Sequence, residues 1–147
     1  MEERKFNIIP SPEDRRDHIV GKTIYQQPLK STASETTLDL RSDLRPIRNQ
    51  ETTSMCAAFS AGTIKEYHEY VDLGLQVYFS PEWIYYHREN KDSEGMYLRD
   101  VMRILQKQGI PRESQWRFKS KKPTKDAWDE AIEESKNHTI EKYARCY

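Results

Sequence analysis

The sequence predicts an α+β fold, mostly helical, built round a central helix that carries a cysteine. Three stretches predict it. Met55 to Gly62 reads MCAAFSAG, almost entirely small or apolar, so a helix starting there is buried on nearly every side and closely approached by other backbone. Ser80-Pro81-Glu82 supplies a cap, a first-turn proline and an acid at the positive end of the helix dipole. Leu98, Val101, Met102 and Leu105 recur at helical spacing and stop before Gly109.

Taken in order, residues 1–37 form an extended amino-terminal arm, because Pro10, Pro12 and Pro28 and the polar run KSTASETT sustain no periodicity. Residues 38–147 form the folded part. Leu38 to Gln50 alternates apolar and charged residues around Pro46, which suits irregular strand and loop. The central helix follows, with Thr53 or Ser54 able to cap it and Gly74 available for a left-handed residue after Leu73. The second helix runs from Ser80 to about Asn90, and the third presents its apolar stripe to the central helix. A fourth, Lys125 to Lys136, is capped by Thr124 and turns Ala127, Trp128, Ala131 and Ile132 to one face. The tail TIEKYARCY alternates like a strand.

Composition narrows the function classes. Twenty-four basic residues balance 24 acidic ones, which removes the electrostatic case for a nucleic-acid partner. Charged residues make up 33% of the chain, where about 25% is typical, so either the surface is heavily solvated or part of the core is missing. The longest stretch without Lys, Arg, Asp or Glu, Thr52 to Ile64, is 13 residues, too short to cross a membrane. The start MEERKFNIIP lacks the apolar run of a secretory leader, which predicts a cytoplasmic protein. Cys56 and Cys146 are not spaced as a metal knuckle or a disulfide framework, so free thiols are expected, with no metal and no cofactor.

Cys56 falls at the amino terminus of the central helix, where unpaired amides and the dipole favour a thiolate, the nucleophilic form of cysteine. Acyl transfer also needs a donor aimed at the developing oxyanion, and a side-chain amide in the loop before the nucleophile can supply it. Gln50 is so placed. A free cysteine among small residues is also simply a small core hydrophobe, and both readings stay open on these grounds.

The string DLRSDLRPIRNQETTSMCAAFSA resembles the start of the papain-like (C1 family) cysteine peptidases, whose mature chains open with Asp-aromatic-Arg and reach Gln-Gly-x-Cys-Gly-Ser-Cys-Trp-Ala-Phe-Ser. Asp39-Leu40-Arg41 matches the opening segment. FSPEWIYYHREN and EGMYLRDVMRILQKQGIPRESQWRF are similar to the bacterial branch, in the correct order. The resemblance implies the mostly helical left half of the papain-like fold. It implies Cys56 as nucleophile and Gln50, six positions earlier, as oxyanion donor. It also implies substrate contacts at Gly95, for the extended main chain, at Met96, on a pocket wall, and at Ser54, where the family has a glycine of the first specificity pocket. Gly95 and Met96 have a plainer reading too, as a turn glycine and the staple of a helix start.

Departures accompany the match. Glu51 replaces a glycine, Thr53 a disulfide cysteine, and Ala57 the tryptophan after the nucleophile. The family's histidine and asparagine arrive about 130–150 residues after the cysteine, and 91 residues follow Cys56 here, so the right half and its general base are expected to be absent. His68 is 12 residues along the same helix, about 18 Å away. His18 lies in the arm and His87 at a polar helix end. Asn137-His138 has the right residue types in the wrong context and reads as surface.

Two function classes follow. One is a cysteine peptidase in split, nicked or truncated form, acting on peptide or protein substrates once a segment carrying His and Asn is added. The other is an inactive half-domain serving as a binding or assembly module. Either way a complementary chain or a second copy is expected over the open cleft face. The basic run Arg117 to Lys125 reads as a solvated face, followed as it is by Asp126, Asp129 and Glu130. The tyrosines and tryptophans read as packing residues.

Overall fold

The computed structural model describes residues 8–19 and 39–144. In chain order these form β1 (Ile8–Ile9), α1 (Cys56–Leu73), α2 (Pro81–Tyr86), β2 (Met96–Tyr97), α3 (Leu98–Lys107), α4 (Lys125–Ser135) and a 3-10 turn, Lys136–His138. The fold is therefore mostly helical with little strand. β1 and β2 pair in parallel, Ile8 opposite Met96 and Ile9 opposite Tyr97. Most of the expected arm lies outside the described residues, as does Cys146.

α1 is the central helix. Cys56, Ala57, Ala58, Phe59, Ala61 and Gly62 are buried, so its small residues do admit neighbours on several sides. It ends on Gly74 at φ 69°, whose amide donates to Tyr70 O. Neither Thr53 nor Ser54 caps it. Thr53 Oγ1 donates to Gln50 O at 2.7 Å and Ser54 Oγ to Glu94 Oε2 at 2.9 Å, and the cap position falls to Met55, which offers no side-chain acceptor.

The start of α2 follows the sequence reading. Ser80 Oγ accepts from Trp83 N at 3.2 Å and donates to Trp116 O at 2.7 Å, with Pro81 in the first turn. Its end does not. The helix stops at Tyr86 rather than near Asn90, because Asp100 Oδ2 accepts the amide of Glu89 at 2.7 Å and draws the chain away. Burial pushes the Asp100 carboxyl above its ordinary range, with the Glu89 amide acting against that.

In α3 the buried positions are Asp100, Val101, Ile104 and Leu105, while Leu98, in the first turn, is 47% exposed. The core face is thus displaced from the expected stripe by the inward carboxylate of Asp100. Gly109 after it is obligatory: at φ 71°, a Cβ there would meet Ser135 O at 1.8 Å. α4 packs Ala131, Trp128 and Ile132 inward as expected, but Thr124 caps it without its hydroxyl, by accepting Trp128 N on its carbonyl at 2.8 Å. Residues 139–144 form no strand. Ile140 N donates to Leu105 O and Gln106 Nε2 to Glu141 O, so the tail's backbone groups are engaged by α3.

The core joins Phe79, Trp83, Ile84, Met96, Val101, Ile104, Ile110 and Trp116, each 5% exposed or less. Trp83, Tyr86, His87, Trp116 and Trp128 pack ring on ring, and the basic run from Arg117 is exposed. Among the described residues no helix is long and apolar enough to cross a membrane.

Candidate functional site

Cys56 is the first residue of α1, and its thiol is free and buried. The amides of the first helical turn have no intrahelical acceptor, and no side chain caps them here, so the positive end of an 18-residue helix is left beside the sulfur. No acidic residue sits in that turn to neutralise it.

The loop before Cys56 is folded by its own side chains. Thr53 N and Thr53 Oγ1 both donate to Gln50 O, and Gln50 Nε2 returns a bond to Thr53 O at 2.8 Å. These reciprocal bonds hold the carboxamide of Gln50 in the turn that leads to the thiol. Glu51 occupies φ 54°, a left-handed conformation that favours glycine, and its carboxylate pairs with Lys119. Lys119 N in turn donates to Glu82 Oε1 at 2.7 Å, which ties this loop to α2 through residues 117–120.

Arg48 anchors the same loop from beneath. Its guanidinium donates to Glu66 Oε1 at 2.5 Å, Glu113 Oε2 at 2.9 Å and Phe79 O at 2.9 Å. Burial pushes the Glu66 carboxyl up, while the amide of Phe79 and then Arg48 pull it back. The sequence reading passed over Arg48, since its partners are 18 and 65 residues away and no local pattern announces them.

Ser54 connects the cysteine loop to the turn before β2. Its hydroxyl is buried and donates to Glu94, the residue before Gly95. Gly95 takes φ 79° and its carbonyl accepts from Asn90 Nδ2 at 3.0 Å. The loop that carries Gln50 and Ser54 into Cys56 is thus joined to the turn of Gly95 by the Ser54–Glu94 bond. Asn90 and Glu94 were missed in the sequence, although ENKDSEG has the Asn and Gly of a shaped turn. Met96 is fully buried in the core, so as folded here its side chain faces no open cleft.

The β2 edge next to Gly95 carries the arm. Beyond the β1 pairing, Arg99 N donates to Ser11 Oγ at 3.1 Å, and the Arg99 guanidinium to Asp17 at 2.8 and 2.5 Å.

The histidines stand elsewhere. His138 is buried, not on the surface: its ring packs on Phe79 and its Nδ1 lies 3.2 Å from Glu69 Oε1. Glu69 is 13 residues past Cys56, about 20 Å along the helix. Burial pushes the Glu69 carboxyl up, but hydrogen bonds from Lys65 and His138 outweigh it and leave it below its ordinary value. His68 is exposed on α1. His87 stacks on Trp128 with Nδ1 2.8 Å from Trp83 O, and burial holds its pKa down. Among the described residues, no group of His, Cys, Asp or Glu is arranged to hold a metal ion.

One face of α1 remains open. Ile64 and Val71 are 54% and 56% exposed, beside a groove of about 570 Å³ lined by Ala61, Ile64, His68, Met102, Leu105 and Ile140.

No family model matches the sequence, and no curated protein matches it. Solved structures do match its fold. Xylellain, a cysteine protease from Xylella fastidiosa, superposes with a TM-score of 0.76 at 22% identity, over 100% of this chain and 61% of that one. The Amb a 11 cysteine protease, a ragweed pollen allergen in its proform, gives 0.52 at 19% identity, over 66% of this chain and 33% of its own. A structure from work on the mite allergens Blo t 1 and Der p 1 gives 0.51 at 16% identity, over 70% and 37%. The fold is that of the papain-like cysteine proteases, and the chain spans less than two thirds of the length of each of these.

Proposed function

We propose that the chain is the nucleophile-bearing half of a cysteine peptidase, cleaving peptide bonds through an acyl-enzyme on Cys56. The observation that carries this reading is the free thiol at the uncapped amino terminus of α1, delivered by the turn that holds Gln50. In this reading Cys56 Sγ attacks the scissile carbonyl, and the Gln50 carboxamide with the amide at the helix start receives the oxyanion. The base is a histidine, oriented by an asparagine, on a complementary segment that covers the open face of α1 at Ile64 and Val71. Gly95 offers its backbone to an extended substrate, and Ser54 lines the pocket next to the scissile bond. A substrate using the β2 edge takes the place of β1, and Met96 contributes a pocket wall once β1 has moved.

The test is reconstitution. The chain by itself is expected to give no turnover of unstructured protein or short fluorogenic peptides, since a thiol without a positioned base lacks most of its transition-state stabilisation. Adding the segment that carries His and Asn is expected to raise the melting temperature and create activity that Cys56→Ser abolishes. Gln50→Ala in that complex is expected to lower turnover about 10²–10³-fold while sparing assembly. Unchanged turnover in Gln50→Ala overturns the oxyanion assignment. A complex that assembles and cleaves nothing overturns the peptidase reading in favour of a binding module.

A further inference from the structure

We propose that Lys119 is a positioning residue for the oxyanion site: its ammonium, bonded to the Glu51 carboxylate, holds Glu51 in the left-handed backbone conformation that closes the turn carrying the Gln50 carboxamide. The inference rests on the peptidase reading and adds to it a residue from outside the cysteine loop. Glu51 at φ 54° and Lys119 at φ 58° are the only residues other than glycine with a positive φ among the described residues. An L side chain in that region crowds its own backbone, so the conformation persists only where the surroundings impose it. The two side chains that bear this strain are bonded to each other.

Each of them sits in a turn where glycine is usual. Thr53 N donates to Gln50 O at 3.2 Å, which makes Glu51 the second of four residues, and Thr52 does not share its positive φ. That is the pattern of a type II′ turn. Ser120 N donates to Arg117 O at 3.0 Å, and Lys119 is the third of those four, the residue that is left-handed in a type II turn. Glycines would form both turns without strain. The sequence instead puts opposite charges there, 68 residues apart, and the fold brings them together.

The far end of the pair is a fixed post. Lys119 N donates to Glu82 Oε1 on α2 at 2.7 Å, Trp116 Nε1 donates to Ser120 O at 3.3 Å, and the Phe118 ring meets that of Phe59 on α1 edge-on at 4.9 Å. The near end is the turn that Gln50 spans. Gln50 Nε2 donates to Thr53 O at 2.8 Å, across the same gap that Thr53 closes with its bonds to Gln50 O. If Glu51 relaxes to a negative φ, residues 50 and 53 separate and the carboxamide loses this anchor. Lys119 and Glu51 are 47% and 50% exposed, so their attraction is modest and open to screening by salt.

The test uses the full chain labelled with nitrogen-15. Hydrogen exchange at the Thr53 amide reports opening of the turn, and the side-chain amide signals of Gln50 report the order of the carboxamide. Lys119→Met is expected to speed Thr53 exchange about two- to five-fold, the range of an exposed ion pair, and to bring the two Gln50 amide proton signals closer together. Lys119→Arg is expected to restore both. In a Glu51→Gly chain, Lys119→Met is expected to change neither, because glycine keeps a positive φ without help. Salt at 1 M is expected to bring the parent chain to the level of Lys119→Met, while Lys121→Met, an exposed lysine of the same run, leaves exchange as it is. In the complex with the segment that carries His and Asn, Lys119→Met is expected to lower kcat on a short fluorogenic peptide by the same factor with KM unchanged, since the oxyanion forms only after attack. Unchanged Thr53 exchange in Lys119→Met, an effect that survives in the Glu51→Gly chain, or an unchanged kcat in an active complex overturns the inference and leaves the peptidase reading standing. A complex that cleaves nothing, beside the expected exchange rates, overturns the peptidase reading, and the turn then serves no reaction.

Discussion

Arg48 is where the structure makes its largest demand on one side chain, and Arg48→Met is the sharpest way to test it. The pair it forms with Glu66 is not a surface ion pair: the two side chains are 15% and 4% exposed. Exposed pairs contribute about 0–1 kcal/mol, whereas removing one partner of a buried pair costs about 3–5 kcal/mol because the other charge is left uncompensated. Methionine keeps most of the apolar stem, so the loss is that of the guanidinium, with its bonds to Glu66, Glu113 and Phe79 O and its place over the Phe59 and Tyr78 rings. Glu66 then retains the amide of Phe79 at 2.9 Å. We expect about 3–5 kcal/mol in urea unfolding followed by tryptophan fluorescence, and recovery of at least about 1.5 kcal/mol in Arg48→Met/Glu66→Gln. The deficit is expected to depend on pH. The Glu66 carboxyl is already pushed up, and losing Arg48 pushes it further, so the native state of the variant binds the extra proton. A group whose folded pKa is raised contributes stability below its unfolded value and loses it as pH rises through the folded one. The deficit therefore shrinks between pH 8 and pH 5. A loss under 1 kcal/mol, additive single and double variants, or a pH-independent deficit would refute the argument that Arg48 neutralises a buried carboxylate.

Three further outcomes follow from particular contacts. Gly109→Ala is expected to lose at least about 2 kcal/mol or to fail to fold, because its Cβ would fall 1.8 Å from a backbone oxygen at φ 71°; a melting temperature within a degree of the parent speaks against the packing of α4 on that turn. His87, whose pKa burial holds down, is expected to cost stability as pH falls below about 6.5, since the unfolded chain takes up the proton first; His87→Phe should flatten the stability profile between pH 7 and 5, and an unchanged slope contradicts the burial. Arg99→Gln removes the guanidinium from Asp17 while leaving the Arg99 amide on Ser11, and is expected to loosen residues 8–19, read as faster proteolysis in the arm with the melting temperature of the rest changed little; equal cleavage rates mean that the Asp17 contact does not hold it.

How much of this was legible in the sequence depended on the range of the physics involved. The start of α2 could be read because Ser80, Pro81 and Trp83 settle it within four residues, and the end of α1 because Gly74 alone supplies the left-handed terminus. The start of α1 was read at the right place for the wrong reason. Thr53 and Ser54 have the chemistry of caps, yet each hydroxyl is taken by another partner, Gln50 O or Glu94, and the second lies 40 residues away. The same remoteness hid the end of α2, set by Asp100, and the burial of His138, set by Glu69 and Phe79. Strand-like alternation in the tail misled because Leu105 and Gln106 satisfy its backbone in place of a neighbouring strand.

Those displaced caps bear on the chemistry. A serine or threonine bonded to the first-turn amides of α1 would stabilise the helix by about 1 kcal/mol and would occupy the donors that an anion needs. In this chain both hydroxyls are drawn off, one to shape the Gln50 turn and the other to orient Glu94, and the helix start is left with its amides and a thiol. An inert core cysteine requires no such arrangement, since burial alone accounts for it. Restoring a cap therefore separates the two roles. Met55→Asn places a neutral acceptor at the cap position at the cost of a core side chain, since Met55 is 3% exposed, so stability is expected to fall; if the open amides serve an anion at Cys56, the thiol also loses reactivity toward a neutral alkylating agent. A folded variant with unchanged reactivity would mean that the helix terminus contributes nothing to the sulfur, and the nucleophile assignment would then rest on resemblance alone.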